Sequence, residues 1–540
     1  MTVENILPRL TTEQKIGQLV MATLPGTAMD AESAARLRAG RYAGVVLFSR
    51  NIVSIAQTMA LATAIHESLT LDGLPPIIGV DQEGGRVRRL MAEATLTPSA
   101  MALGATGDTA LVERIGFAVG RELRALGINT DFAPVADVNN NPLNPVIGTR
   151  SFGESPERVG EMVVAFARGL RDAGVAATAK HFPGHGDTQV DSHLALPTIP
   201  HDLARLRAVE LPPFAAAIRA GVPLVMTSHI RFPALEPDGL PATLSPRILN
   251  GLLREEMGFE GVIISDAMMM HAIDDHYGIV AGSVAAVIAG NDIVEPLLVR
   301  DEAAIIAGLR DAVGNGRLPM TQVDASVRRV LHLKQWLAGQ PSVSVEVIGS
   351  HGNLVRAVAE AGVTLLDARP GALPLATDAS LAVIEFTLPA AHAAEEGQSA
   401  PSPVLDAFKR RFANVRGIAV EAKEISPLSS GALNEMMARA QEADVLIVGV
   451  RDANLFADQA NALKFVQIAE KPTLVISLRA PYDLADIPWA AARIATYGDL
   501  PASLDVAAAI CAGALPPRGH LPVSVGPLYP VGHGLTDVSV

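Results

Sequence analysis

The chain has a single cysteine, Cys511, in 540 residues. This excludes an internal disulfide framework and any metal site built from several thiolates. Cys511 sits in AAAICAGA and is expected to act as a small buried apolar residue. Positive charge is also in short supply. Lys and Arg total 43 against 57 for Asp and Glu, a net charge of −14, and no basic tract offsets it. A polyanion such as nucleic acid would be repelled at long range, so neutral or weakly charged small molecules are the expected partners. Long apolar runs are missing too. The most apolar stretch, Gly278 to Gly290, is closed by Asn291 and Asp292. It falls short of the roughly 20 residues needed to cross a bilayer and reads as a buried helix, so no membrane partner is expected. The opening segment MTVENILPRLTTEQKIG carries Glu4 and lacks the apolar core of a secretory signal, which makes the cytoplasm the expected compartment.

What is present is a long chain with 49% apolar and 19% charged residues. That balance argues for well-covered α/β cores, and the length argues for two domains. Short β-branched runs recur at 43–48 (AGVVLF), 75–81 (PPIIGVD), 129–138 (NTDFAPVADV), 174–182 (GVAATAKHF), 222–230 (VPLVMTSHI) and 261–267 (GVIISDA), with a weaker one at 291–296 (NDIVEP). Continuous apolar runs of this kind are expected of strands buried on both faces. Helical spacing lies between them, as at 109–127 and 202–221, and Thr11 with Gln14 forms a capping-box signature for an early helix. Seven or eight such units predict a (β/α)₈ barrel over residues 1–338. The rival, a doubly wound open sheet, is disfavoured because no glycine-rich dinucleotide fingerprint follows the first strand.

Residues 339–352 (GQPSVSVEVIGSHG) have linker composition. Beyond them, strand patterns at 381–386, 417–422, 444–450, 472–478 and 493–498 alternate with helical segments such as 431–443. They predict a smaller three-layer α/β/α sandwich over 353–540. The segment 390–403 reads as a surface loop.

Almost every strand of the first domain ends in an ionisable residue: Asp81, Asp137, Lys180 with His181, His229 and Asp266. In a parallel barrel these ends meet on one rim, where barrel enzymes keep their chemistry. The densest group is Lys180 to His193 (KHFPGHGDTQVDSH), with three histidines and two aspartates on a Pro-Gly loop. Three readings are open. One is a metal site, although HxxxH on such a loop lacks the helical geometry that brings two imidazoles to one ion. Another is a structural loop. The third is an acid/base dyad, because Asp191 and His193, two apart in an extended segment, point the same way. Asp191 could then hold one ring nitrogen of His193 while the other trades a proton. Asp266 at its strand end suits a nucleophile, a ligand anchor or a structural carboxylate. Asp81 begins DQEGGRVRRL, where Gly84 and Gly85 allow close backbone approach and Arg86, Arg88 and Arg89 follow. Sugar-hydroxyl recognition fits there at least as well as a phosphate nest, which lacks the P-loop spacing.

Taken together, DQEGGRV, DFAPVADVNNNPLNPVIGTRSFG, KHFPGHGDTQVDSH, VMTSHI and GVIISDAMMM resemble glycoside hydrolase family 3, and specifically its bacterial β-N-acetylglucosaminidase branch. PYDL (481–484), ATYG (495–498) and PPRGHLPVSV (516–525) look like the second domain of its two-domain members. The resemblance implies Asp266 as nucleophile, His193 as acid/base and Asp191 as its partner. It implies that Asp81, Arg89, Arg150, Lys180 and His181 hold the N-acetylglucosamine ring. No metal and no cofactor is implied. An Ala follows the Ser-Asp pair where some relatives have a second Asp. The implied activity is retaining, exo-acting release of terminal N-acetylglucosamine from peptidoglycan-derived or chitin-derived fragments. In this reading glutamates of the second domain, such as Glu424, are solvated rather than catalytic. Alternatives are a phosphorylase using the same residues, a non-catalytic sugar-binding protein and a metal-dependent hydrolase. Oligomeric state is not legible.

Overall fold

The computed structural model describes residues 2–90, 93–191, 195–387, 402–421 and 430–538. Two sheets organise them. The first has eight parallel strands in sequential order: β1 (Met21–Thr23), β2 (Gly44–Leu47), β3 (Ile77–Val80), β4 (Thr130–Asp131), β5 (Ala176–Phe182), β6 (Leu224–Thr227), β7 (Val262–Ala267) and β8 (Ile293–Glu295). A single bridge between Val20 and Val294 closes it into a barrel, with the Val294 amide donating to the Leu19 carbonyl at 3.0 Å.

The strands are apolar throughout because both faces are covered. Met21, Val46, Ile77, Leu224, Met226 and Ile264 fill the interior, where Leu333 and Leu337 of the helix Met320–Ala338 close one end. Their neighbours Ala22, Val45, Leu47, Ile78, Val225 and Ile263 pack outward against the helices. This is the two-residue alternation of a strand between two apolar layers.

Differences from the expected elements have local causes. The run 129–138 forms a ladder over only two residues, because Pro134 has no amide hydrogen to donate. The helical pattern 202–221 divides into Leu203–Ala208 and Pro212–Arg219. Pro212 and Pro213 fit a first helical turn but not an interior. The short β1 gave no periodic signal. The capping box at Thr11 and Gln14 is present, and the helix Ile279–Ala289 is largely buried. No single described helix is long and apolar enough to cross a membrane.

The second sheet runs β11 (Asn414–Glu421), β10 (Ser380–Thr387), β12 (Val445–Val450), β13 (Thr473–Ser477), β14 (Ala492–Ala495) and β9 (Thr364–Ala368). All pairs are parallel except β14 with β9, and β9 was not anticipated. Its apolar residues continue the pattern of the helix Gly352–Gly362 before it, so nothing local marks the change of structure. Alternate residues divide between two cores. Leu381, Val383 and Ile447 face the helices Pro403–Lys409 and Pro501–Cys511, and Cys511 is buried there. Ile384, Leu446 and Val448 face the helices Ser430–Gln441 and Ala457–Ile468. The 390–403 loop, apart from its last two residues, and Glu424 lie outside the described residues.

Between the sheets, the segment 339–352 lies against the barrel. Arg124 donates to the Gln340 and Pro341 carbonyls, and Glu122 accepts from the Gly349 amide.

Candidate active site

The barrel brings the polar strand ends to one rim. Asp81 leaves β3, and Lys180 lies near the end of β5. Lys180 Nζ donates to Asp81 Oδ1 at 2.7 Å and to Glu83 Oε1 at 2.7 Å. Arg89 reaches the other oxygen of Asp81 at 3.6 Å. Arg150 grips Glu83 with two parallel bonds, Nε and Nη2 each at 2.8 Å. All these groups but Asp81 are buried, and Asp81 is partly open. A buried carboxylate between two cations stays ionised, so Glu83 is held far below the usual carboxylate range despite its burial. Lys180 is pushed up by Asp81 and Glu83, against burial and Arg150.

His181 is oriented from both sides. Its Nδ1 is 2.7 Å from Asp137 Oδ2, and Nε2 faces Arg150 Nη2 at 3.3 Å. A guanidinium can only donate, so Nε2 accepts and Nδ1 carries the proton toward Asp137. Asp137 also accepts from the amides of His181 and His185, which ties the loop after β5 to the segment after β4. Gly186 makes this possible, because a Cβ there would sit 1.8 Å from the Val138 carbonyl oxygen. Burial, with His181 and Arg150 nearby, lowers His185 to about 4, so it is neutral near pH 7 and no proton shuttle there.

Asp266 stands at the end of β7, half-buried, with Oδ1 accepting from the Ala267 amide at 2.7 Å. Glu295, at the end of β8, is fully buried. Burial, with the charges of Asp81 and Asp266 adding to it, raises its carboxyl well above the usual range. Asp131 is raised in the same way by burial, with Asp81 and Glu83 adding to it. His229 donates from Nε2 to the Ala267 carbonyl at 3.1 Å, bracing the turn that follows Asp266.

The structure therefore gathers Asp81, Arg89, Arg150, Lys180 and His181 into one contiguous network. Asp266 stands at the end of β7, and its charge, like that of Asp81, adds to the rise of the buried Glu295 carboxyl. Asp191 is buried, and its carbonyl accepts from the Ala195 amide. His193 lies outside the described residues. On the same loop, Asp187 pairs with His201 at 2.6 Å, and together with Glu210 they place three ligand-type atoms close together. Arg205 bonds Glu210 at 2.6 Å and lies 3.7 Å from Asp187, so a guanidinium already supplies the positive charge there.

Sequence reasoning missed Glu83, Asp131 and Glu295. Signals existed for two of them. Glu83 is two residues from Asp81 in an extended segment and so shares its side. Glu295 ends a strand, as the other rim residues do, but its strand was the weakest of the set.

In this part of the rim, Asp81, Glu83 and Asp137 balance Lys180, Arg150 and Arg89. Such a surface offers fixed donors and acceptors without excess charge, which suits hydroxyl groups better than an ion.

Comparison with known proteins points the same way. The glycosyl hydrolase family 3 N-terminal domain matches residues 11–333. The chain is 34% identical over 502 residues to beta-hexosaminidase A of Pseudoalteromonas piscicida, covering 84% of this chain and 82% of that one. It is 30% identical over 565 residues to the beta-N-acetylglucosaminidase/beta-glucosidase of Cellulomonas fimi, covering 96% and 95% respectively. Among solved structures, the glycoside hydrolase family 3 beta-N-acetylglucosaminidase of Paenibacillus sp. str. FPU-7 superposes with a TM-score of 0.89 at 35% identity, over 96% of this chain and 99% of that one. With its barrel, its rim of carboxylates and cations, and these relatives, the chain belongs to glycoside hydrolase family 3.

Proposed function

We propose that the protein is a retaining, exo-acting β-N-acetylglucosaminidase that releases terminal N-acetylglucosamine from peptidoglycan-derived fragments or chitooligosaccharides. The observation that carries this reading is the charge-balanced network of Asp81, Arg89, Arg150, Lys180 and His181 on the barrel, with Asp266 at another strand end of the same sheet. The names of the relatives support the sugar.

In this mechanism Asp266 attacks the anomeric carbon and forms a glycosyl ester. As the glycosidic bond breaks, protonated His193 delivers its proton to the leaving oxygen. Neutral His193 then takes a proton from water, whose oxygen displaces Asp266 and restores the configuration. Asp191 holds the imidazole and stabilises its cationic form. The placement of His193 two residues beyond Asp191, with the family resemblance, supports its role. Asp81, Arg89, Arg150, Lys180 and His181 would hold the sugar ring, with Glu83 fixing Arg150 and Lys180.

The test is hydrolysis of aryl β-N-acetylglucosaminide against aryl β-glucoside, with and without phosphate. The expected outcome is preference for the N-acetyl substrate and free N-acetylglucosamine as product. Preference for the plain glucoside overturns the sugar assignment, and N-acetylglucosamine 1-phosphate as product makes the enzyme a phosphorylase. His193→Ala should slow substrates with poor leaving groups by roughly 10²–10⁴-fold while partly sparing activated aryl glycosides. Asp266→Ala should be nearly inactive on both. Equal losses on both substrate classes for His193→Ala would remove it from the acid/base role.

A further inference from the structure

We infer that Asp499 of the second domain is a positioning residue for sugar binding in the barrel, acting through the turn that follows β3. This rests on the glycosidase reading above.

The turn has two sides. Its legs carry Asp81 and Glu83 on the way out and Arg89 on the way back, all on the rim network. They are stitched together by Gln82, whose Oε1 accepts from the Arg89 amide at 2.9 Å, and by paired amide bonds between Gly84 and Val87. The tip is Gly84, Gly85 and Arg86, with Gly84 at φ +95° and Gly85 at φ +58°. A Cβ on Gly84 would lie 2.3 Å from the Pro98 carbonyl oxygen, so the tip is pressed against the chain beneath it.

That tip points at the second domain. Arg86 Nη1 lies 3.7 Å from Asp499 Oδ2, and Arg451 of the second domain approaches the same oxygen at 3.6 Å. The negative charge of Asp499 also acts on Arg88, favouring its charged form against burial. Two guanidinium groups, one from each domain, thus share a carboxylate that is itself only 10% exposed. Without it, Arg86 and Arg451 would lose the counter-charge they share across the two domains, and the tip would be held less firmly in its seat.

Asp499 is itself firmly placed. It follows Tyr497, a fully buried residue at φ +55° whose carbonyl accepts from Ser99 Oγ at 2.6 Å and whose hydroxyl bonds Thr364 Oγ1 at 2.7 Å. Thr496 Oγ1 lies 2.9 Å from the Ser477 carbonyl and 2.8 Å from the Gly498 carbonyl, two acceptors for its one hydroxyl hydrogen, which closes the turn. A turn of one domain therefore holds the tip of a turn in the other, and the legs of that second turn carry Asp81, Glu83 and Arg89 of the rim network.

Asp81 and Arg89 would contact sugar in the ground state and the transition state alike, so displacing them weakens binding more than turnover. The experiment compares Asp499→Asn, Arg86→Gln and the double variant in the full-length protein. It reads kcat and KM on aryl β-N-acetylglucosaminide, inhibition by free N-acetylglucosamine, and thermal unfolding. The expected result is that either single change raises KM and the inhibition constant together by roughly ten-fold. A tenfold loss corresponds to about 1.4 kcal/mol of binding free energy. Meanwhile kcat stays within about threefold, and the double variant is no worse than the worse single one. Both constants within twofold of wild type, additive effects, or a fall in kcat with KM unmoved would each overturn the inference. If Asp499→Asn does not fold, Arg86→Gln reads the same contact from the barrel side. A wild-type protein inactive on the N-acetyl substrate would sink the functional reading itself, which separates that failure from this one.

Discussion

Glu83 shows how much one side chain can organise. It joins Arg150 to Lys180 with three bonds of 2.7–2.8 Å in a fully buried place, and through them it links β3, the loop after β4 and β5. Removing one member of a buried ion pair leaves the others uncompensated, which costs about 3–5 kcal/mol. Glu83→Gln is therefore expected to lower stability by that order and kcat/KM by roughly 10²-fold, measured by urea unfolding and steady-state kinetics. The sign of its pH effect follows from its lowered pKa. A carboxyl depressed in the folded state stabilises the fold above its ordinary value near 4.5 and loses that contribution as pH falls below it. Part of the acid limb of the wild-type stability profile should thus be missing in Glu83→Gln. Identical acid limbs would show that Glu83 is not the group responsible.

At the scale of an element, the helix Met320–Ala338 closes the bottom of the barrel with Leu333 and Leu337, yet between them it buries Lys334. Lys334 Nζ bonds only one described group, Gln18 Oε1 at 2.6 Å, and burial lowers it to about 7. A lysine depressed from 10.5 makes the folded state bind fewer protons than the unfolded one, so stability rises with pH from about 7 toward 10.5. The shift corresponds to about 5 kcal/mol of disfavoured charge below pH 7. Replacing the amine leaves Gln18 Oε1 without its donor, which costs about 1–3 kcal/mol. The first quantity is larger. Lys334→Met should therefore be more stable than wild type at pH 6, with the advantage shrinking by pH 9, as followed by urea unfolding at both pH values. A constant difference across that range would remove Lys334 as the cause.

The whole molecule is held as two sheets joined by polar and apolar contacts. Tyr482 of the second domain accepts from Asn139 Nδ2 at 2.8 Å and donates to its carbonyl. Glu154 of the barrel accepts from the amide and hydroxyl of Ser524. The barrel-side helix Ala100–Thr106 contributes Met101, Ala102 and Ala105 to the core of the second domain. A chain ending at Ala338 would expose those three residues and leave Asn139 without Tyr482 beside the rim. Such a truncation is expected to aggregate or to unfold well below the full chain by calorimetry, with kcat/KM reduced in any soluble fraction. A soluble truncated form with full activity would show that the second domain is dispensable.

Local pattern alone determined the barrel class, the sandwich class and the polar rim. Apolar runs bounded by turns and ending in Asp81, Asp137, Lys180, His181, His229 and Asp266 carry that information in a few consecutive residues. Tertiary structure decided what no local window holds. It paired Glu83 with Arg150 and Lys180 across long stretches of chain and raised Glu295 and Asp131 by burial. It also set Asp499 of one domain against Arg86 of the other. The physical reason is that strand and helix periodicity are short-range steric properties, whereas charge pairing and desolvation depend on which distant groups the closed barrel and its neighbour bring within a few ångströms.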